Sequence, residues 1–129
     1  MKIARILLPM LGALALVACG STKTAGTASA PQHCFNAASV SNYAGVDRET
    51  VNLRVGVSDY YQVKMLGVCP NIDWTQKIGL ESTSGSNICT GLDLTIHVPG
   101  PTGPQECAAD SIRKLTPEEV AALPKGQKP

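Results

Sequence analysis

The sequence has little of what most catalytic and metal sites are made from. It holds two histidines, one tryptophan, one phenylalanine and three tyrosines. His33 is followed by Cys34 and His97 stands far along the chain, with no C-x-x-C pair at the close spacing a zinc site uses. There is no phosphate-binding glycine loop, no serine nucleophile elbow and no paired-glutamate motif. No catalytic residue, no metal site and no cofactor is therefore assigned. An excess of one charge is also missing. The formal net charge is +1, and without Lys2 and Arg5 nine basic residues face ten acidic ones. Without a basic stripe there is no expected nucleic-acid partner. A membrane-spanning run is missing too. Ile6–Val17 is apolar but holds Pro9 and Gly12 and is too short for the roughly 20 residues a spanning helix needs.

That short run has the flanks of an export signal. Lys2 and Arg5 precede it, and the small residues Ala18 and Gly20 follow it around Cys19. The tetrapeptide Leu16-Val17-Ala18-Cys19 resembles the bacterial lipobox. The resemblance implies cleavage before Cys19, lipid on its thiol, and attachment to the membrane through that lipid. An Asp after the cysteine is the inner-membrane retention signal in enteric-type sorting, and here the residue is Gly20. The expected location is therefore the outer membrane, facing the periplasm. The chain divides into a signal peptide 1–18, a lipidated Cys19 with a flexible tether to residue 33, a domain 34–123, and a disordered tail 124–129. The tether, GSTKTAGTASAPQH, has no large apolar residue, and the tail PKGQKP is equally polar.

Five cysteines become four once Cys19 is set aside: Cys34, Cys69, Cys89 and Cys107. An even number in an oxidising compartment predicts two disulfides. Of the three connectivities we select Cys69–Cys89, to clip neighbouring strands, and Cys34–Cys107, to join the first and last ordered segments. The domain is small, and bridges commonly supplement cores of this size. Its hydrophobic period is two. Val51, Leu53, Val55 and Val57 alternate with polar or small residues, as do Tyr61, Val63 and Met65, then Ile78 and Leu80, then Leu92, Leu94, Ile96 and Val98. Further strands are expected over 40–46 and 111–115, with turns at 58–60 and 82–87. The expected fold is mainly β, a small antiparallel barrel or sandwich of five or six strands. One short C-terminal helix is read from Thr116-Pro117-Glu118-Glu119, which offers a cap, a proline at the first helical position and a glutamate to complete the capping box. A helical turn is expected at 73–76.

The stretches "CF" at 34–35, "TVNLRVG" at 50–56, "VCPNIDW" at 68–74, "ICTGLD" at 88–93 and "CAADSIRKLTPEEVAAL" at 107–123 resemble a family of small Gram-negative lipoproteins classed as a domain of unknown function. The resemblance implies a lipid anchor and four paired cysteines, and it brings no activity.

Several residues are candidates for contact or local structure. His97 lies on the polar face of its strand, too far from Asp93 for a hydrogen bond, and reads as a solvent-facing histidine. Gly91 reads as a close backbone approach and Asp93 as an acceptor for turn amides. Trp74, Tyr60 and Tyr61 are candidate partner contacts, with a core position beside a disulfide as the plainer expectation for Trp74. The proline-rich segment 99–106 is expected to be a loop. The functional expectation is a non-enzymatic envelope lipoprotein, a binding or accessory module near the membrane with an envelope protein as partner. The alternatives are an enzyme or small-ligand binder acting on cell-wall material, and an inhibitor that works through loop 99–106.

Overall fold

The computed structural model describes residues 33–129. The expected signal peptide, the lipobox-like stretch with Cys19 and residues 20–32 of the expected tether lie outside the described residues. Most of each period-two segment becomes a strand with its apolar set turned to one side, but Val57 and Leu92 fall in turns and are exposed, and Ile78 lies just before its strand. The strands are β1 (Phe35–Asn36), β2 (Val40–Asp47), β3 (Thr50–Val55), β4 (Asp59–Met65), β5 (Gly79–Ser82), β6 (Asn87–Ile88), β7 (Leu94–Gly100) and β8 (Gly103–Lys114), followed by helix α1 (Pro117–Ala122). Six of them form one curled antiparallel sheet in the order β2-β3-β4-β8-β7-β5, and β1 pairs with β6 in a separate ribbon. The fold is mainly β with one short helix and two disulfides, as expected.

The core fills the inside of the curl. Val51, Leu53, Val63, Ile96 and Val98 are all buried, with Tyr61, Met65, Leu94 and Ala109 beside them. With one phenylalanine in the chain, the packing is almost wholly aliphatic. Phe35 and Ile88, opposite each other in the ribbon, close the curl where Tyr61 lies, and the Phe35 and Tyr61 ring centres are 4.6 Å apart. Ile72 enters from the loop between β4 and β5 and is fully buried.

The bridges join Cys34 to Cys89 and Cys69 to Cys107. The expected pairs Cys69–Cys89 and Cys34–Cys107 are thus incorrect. The reason is the ribbon. Its register sets Phe35 opposite Ile88 and Asn36 opposite Asn87, so the next position outward sets Cys34 opposite Cys89. Cys107 faces Ile96 in the middle of the β7–β8 pair, and the Leu66 amide, bonded to the Ala108 carbonyl, brings the loop bearing Cys69 to it.

Four local expectations are also corrected. Segment 99–106 is no loop, because β7 runs to Gly100 and β8 begins at Gly103, leaving a two-residue turn at 101–102. The turn expected at 58–60 lies at 56–58, where Gly56 takes φ +60°. The helical turn expected at 73–76 is a turn over 70–74. The tail, expected to be disordered, forms a turn closed by the Gln127 amide on the Pro124 carbonyl and lies on the outer face of the sheet.

Candidate functional site

Gly91 and Asp93 have the structural roles expected of them. They form a single 3-10 turn, Gly91–Asp93, that enters β7. The Asp93 carboxylate accepts from the Thr90 amide at 2.8 Å and the Cys89 amide at 3.1 Å. Those amides hold its carboxyl below the usual aspartate range, with the Thr90 bond the larger cause. A lowered folded pKa means that this stabilisation is present above the unfolded pKa and is lost as pH falls through the folded one. The expected result is a melting temperature that drops on acidification below about pH 4, with a shallower drop in Asp93→Asn. A pH scan of thermal melts checks it, and equal slopes refute it.

Gly91 sits where β8 bulges opposite the Lys64–Met65 step of β4. A Cβ there would lie 2.3 Å from the Asp110 carbonyl carbon and oxygen. Gly91→Ala is expected to lower stability by about 1–3 kcal/mol, as overpacking against backbone does. Denaturant unfolding measures it, and a neutral result refutes it.

His97 has a partner that sequence spacing did not show. Its Nε2 is 2.7 Å from Oε2 of Glu81, the diagonal neighbour on β5. The pair lies on the outer face, with the His97 side chain 28% and the Glu81 side chain 62% exposed. No other side-chain hydrogen bond reaches either residue among the described residues, so the arrangement is a two-residue hydrogen bond on the surface. His97→Ala is expected to change stability by less than about 1 kcal/mol. A larger loss in denaturant unfolding overturns that.

The three aromatic contact candidates separate. Tyr61 is 4% exposed and points into the core, where burial raises its phenol pKa. As a surface contact it is therefore incorrect, since alternation on β4 turns Tyr61 inward and Tyr60 outward. Trp74 is 71% exposed, so the core position expected for it is incorrect as well. Ile72 takes the buried place two residues earlier. Tyr60 and Trp74 meet different parts of one segment, the C-terminal tail. The Lys128 ammonium is 5.9 Å from the Tyr60 ring centre. Lys128 lines one cleft with Tyr60, Asp59 and Val120, and a second with Trp74, Asp73 and Asn42.

Between those clefts the tail crosses Asn52, the one fully buried polar side chain among the described residues. Asn52 Nδ2 donates to the Gln127 carbonyl at 2.8 Å, and Asn52 Oδ1 accepts from Gln62 Nε2 at 3.2 Å. The line continues outward. Arg113 Nη2 donates to Gln62 Oε1 at 3.1 Å, and Arg113 Nη1 donates to Glu119 Oε1 at 2.7 Å. Glu119 Oε2 then accepts from the Thr116 amide at 2.8 Å, completing the capping box of α1. That amide, with Arg113 second, holds the Glu119 carboxyl below the usual glutamate range. Four side chains, on three strands and the first turn of α1, thus form one hydrogen-bonded row that runs from the Thr116 amide to the tail's backbone. No motif marks Asn52 or Gln62 in the sequence, where they read as ordinary outward positions.

A family model matches residues 1–128. The chain belongs to DUF6491, a family of unknown function. No curated protein and no solved structure matches it. In this DUF6491 chain a further cleft of about 710 Å³ lies between the sheet edges β2 and β5. Tyr43, Ile78 and Leu80 give it an apolar floor, and Asn36, Ser41 and Ser86 a polar rim. The bond from the Tyr43 hydroxyl to the Thr75 carbonyl, 3.0 Å, and the bond from the Ala37 amide to the Ser86 carbonyl tie the two sides together. Among the described residues of this DUF6491 member no group of three or more His, Cys, Asp or Glu could hold a metal ion.

Proposed function

We propose that this protein is a lipid-anchored envelope protein, held at the outer membrane and facing the periplasm, whose β-domain is a non-enzymatic binding or accessory module. Cysteine usage carries this reading. Two bridges take Cys34, Cys89, Cys69 and Cys107, and the fifth cysteine is Cys19, at the end of Leu16-Val17-Ala18-Cys19 after a basic and apolar leader. An exported chain with one thiol left over needs a use for it, and lipidation at that position supplies one. The disulfides agree with an oxidising compartment. The test is mass spectrometry of the protein recovered from envelopes after trypsin, which releases Cys19–Lys23. That peptide is expected to carry a thioether-linked lipid. An unmodified Cys19, or a chain still beginning at Met1, overturns the reading.

The cleft between β2 and β5 favours a second reading, a small-ligand binder. Its apolar floor and polar rim are the usual lining of such sites. A Tyr43→Arg variant that leaves phenotype and fold unchanged would argue against it.

A further inference from the structure

We propose that the outer face of β2, β3 and β4 is a peptide groove, that the chain's own tail fills it in cis, and that its ligand is a lysine-bearing segment of a partner protein. This deepens the binding-module reading and rests on it, while the lipid anchor plays no part.

Asn52 is the starting point. It occupies an outward position on β3, where alternation gives side chains to water, yet it is fully buried because the tail lies over it. Its amide donates to a main-chain carbonyl, a form of recognition that asks nothing of the ligand's side chain at that residue. The next residue of the tail is Lys128, and the surface around it suits a cation. The Tyr60 ring lies on one side, and Asp73 is among the residues that line the cleft with Trp74 on the other. The groove therefore reads a main-chain carbonyl followed by a lysine.

The groove is held ready without the tail. Gln62, Arg113 and Glu119 fix the Asn52 amide from behind, and each of those bonds belongs to the sheet or to α1. Such prior ordering lowers the cost of binding a segment from outside. The tail itself is lightly held. Pro124, Lys125, Gly126 and Lys128 are exposed, and one side-chain hydrogen bond and one cation–π contact tie it to the strands. It also turns through Gly126 at φ +92°, a conformation that a side chain resists and a segment arriving from outside does not need.

The experiment uses the full chain with Gly126→Val, to lift the tail, and a synthetic peptide of residues 123–129, Leu-Pro-Lys-Gly-Gln-Lys-Pro. Trp74 is the only tryptophan and serves as the fluorescent reporter. Lys128→Glu is a second undocking variant, and circular dichroism confirms that each is folded. The expected result is saturable binding at least tenfold tighter than to the wild-type chain, whose own tail competes at high effective concentration. Adding Asn52→Ala is expected to weaken binding at least tenfold, and a peptide with glutamate in place of its second lysine is expected not to bind. No saturable binding to either folded undocked chain overturns the proposal, as does binding indifferent to Asn52. A concentration-dependent dimer of the wild-type chain that loses its dimer on Lys128→Glu assigns the groove to a second copy and overturns the partner assignment. An unlipidated Cys19–Lys23 peptide would sink the anchor and leave this titration unaffected.

Discussion

Cys19→Ser is expected to move the protein from the membrane fraction to the soluble fraction almost completely. The lipid proposed on Cys19 is the one membrane attachment this reading invokes. No helix among the described residues is long and apolar enough to cross a membrane. With Lys2 and Arg5 set aside, the chain is near neutral, so charge gives it little pull toward an anionic surface. An acyl chain contributes about 0.8 kcal/mol per buried CH₂, and stable anchoring takes more than one chain. Removing the thiol removes that whole term, so the change is all or none. Fractionation after high-salt and carbonate washes, with metabolic fatty-acid labelling, measures it. Unchanged retention with label still incorporated would sink the proposed anchor.

Loss of either bridge is expected to lower stability by about 4 kcal/mol in the chain-entropy account, and loss of both to leave the domain unfolded or barely folded. The bridged residues are 55 apart for Cys34–Cys89 and 38 apart for Cys69–Cys107, so the two terms are close in size. Against a typical total of roughly 5–15 kcal/mol, either is a large share. The consequences differ in place. Cys34–Cys89 staples together the two short strands of the ribbon that places Phe35 and Ile88 over Tyr61. Cys69–Cys107 pins the loop that delivers Ile72. Thermal melts of the Cys34→Ala/Cys89→Ala and Cys69→Ala/Cys107→Ala chains, with non-reducing peptide mapping of the wild type, test both claims. A peptide joining Cys69 to Cys89 refutes the pairing, and an unchanged melt after verified reduction refutes the energetic claim.

The sheet was legible wherever several alternating residues stood in a row. Val51, Leu53 and Val55 announced β3, and the capping box at Thr116 and Glu119 announced α1, because both signals are local. The ribbon was not legible. Asn87–Ile88 and Phe35–Asn36 are too short to show a period, so the pairing that sets Cys34 opposite Cys89 left no trace in the sequence. Pro101 and Pro104 disguised the end of the β7–β8 hairpin as a loop, since proline usually interrupts a strand. The candidate site was half visible. Tyr60 and Trp74 could be named for their rarity, while Asn52 acquires its role only through a tail more than seventy residues away.

The sheet order has a consequence for how the chain reaches its folded state. β8, the most C-terminal strand among the described residues, lies between β4 and β7 and joins the meander β2-β3-β4 to the pair β7-β5. Until residues 103–114 are available, the two halves have no shared edge, and Cys69 has no Cys107 to meet. Assembly therefore waits on distant pairings, which are slow to close. A chain threaded N-terminus first through a narrow channel would stay extensible for most of its passage and become compact only once β8 arrives. A stop codon between β7 and β8 would leave two unconnected fragments of sheet, each with an exposed apolar face for proteases to find.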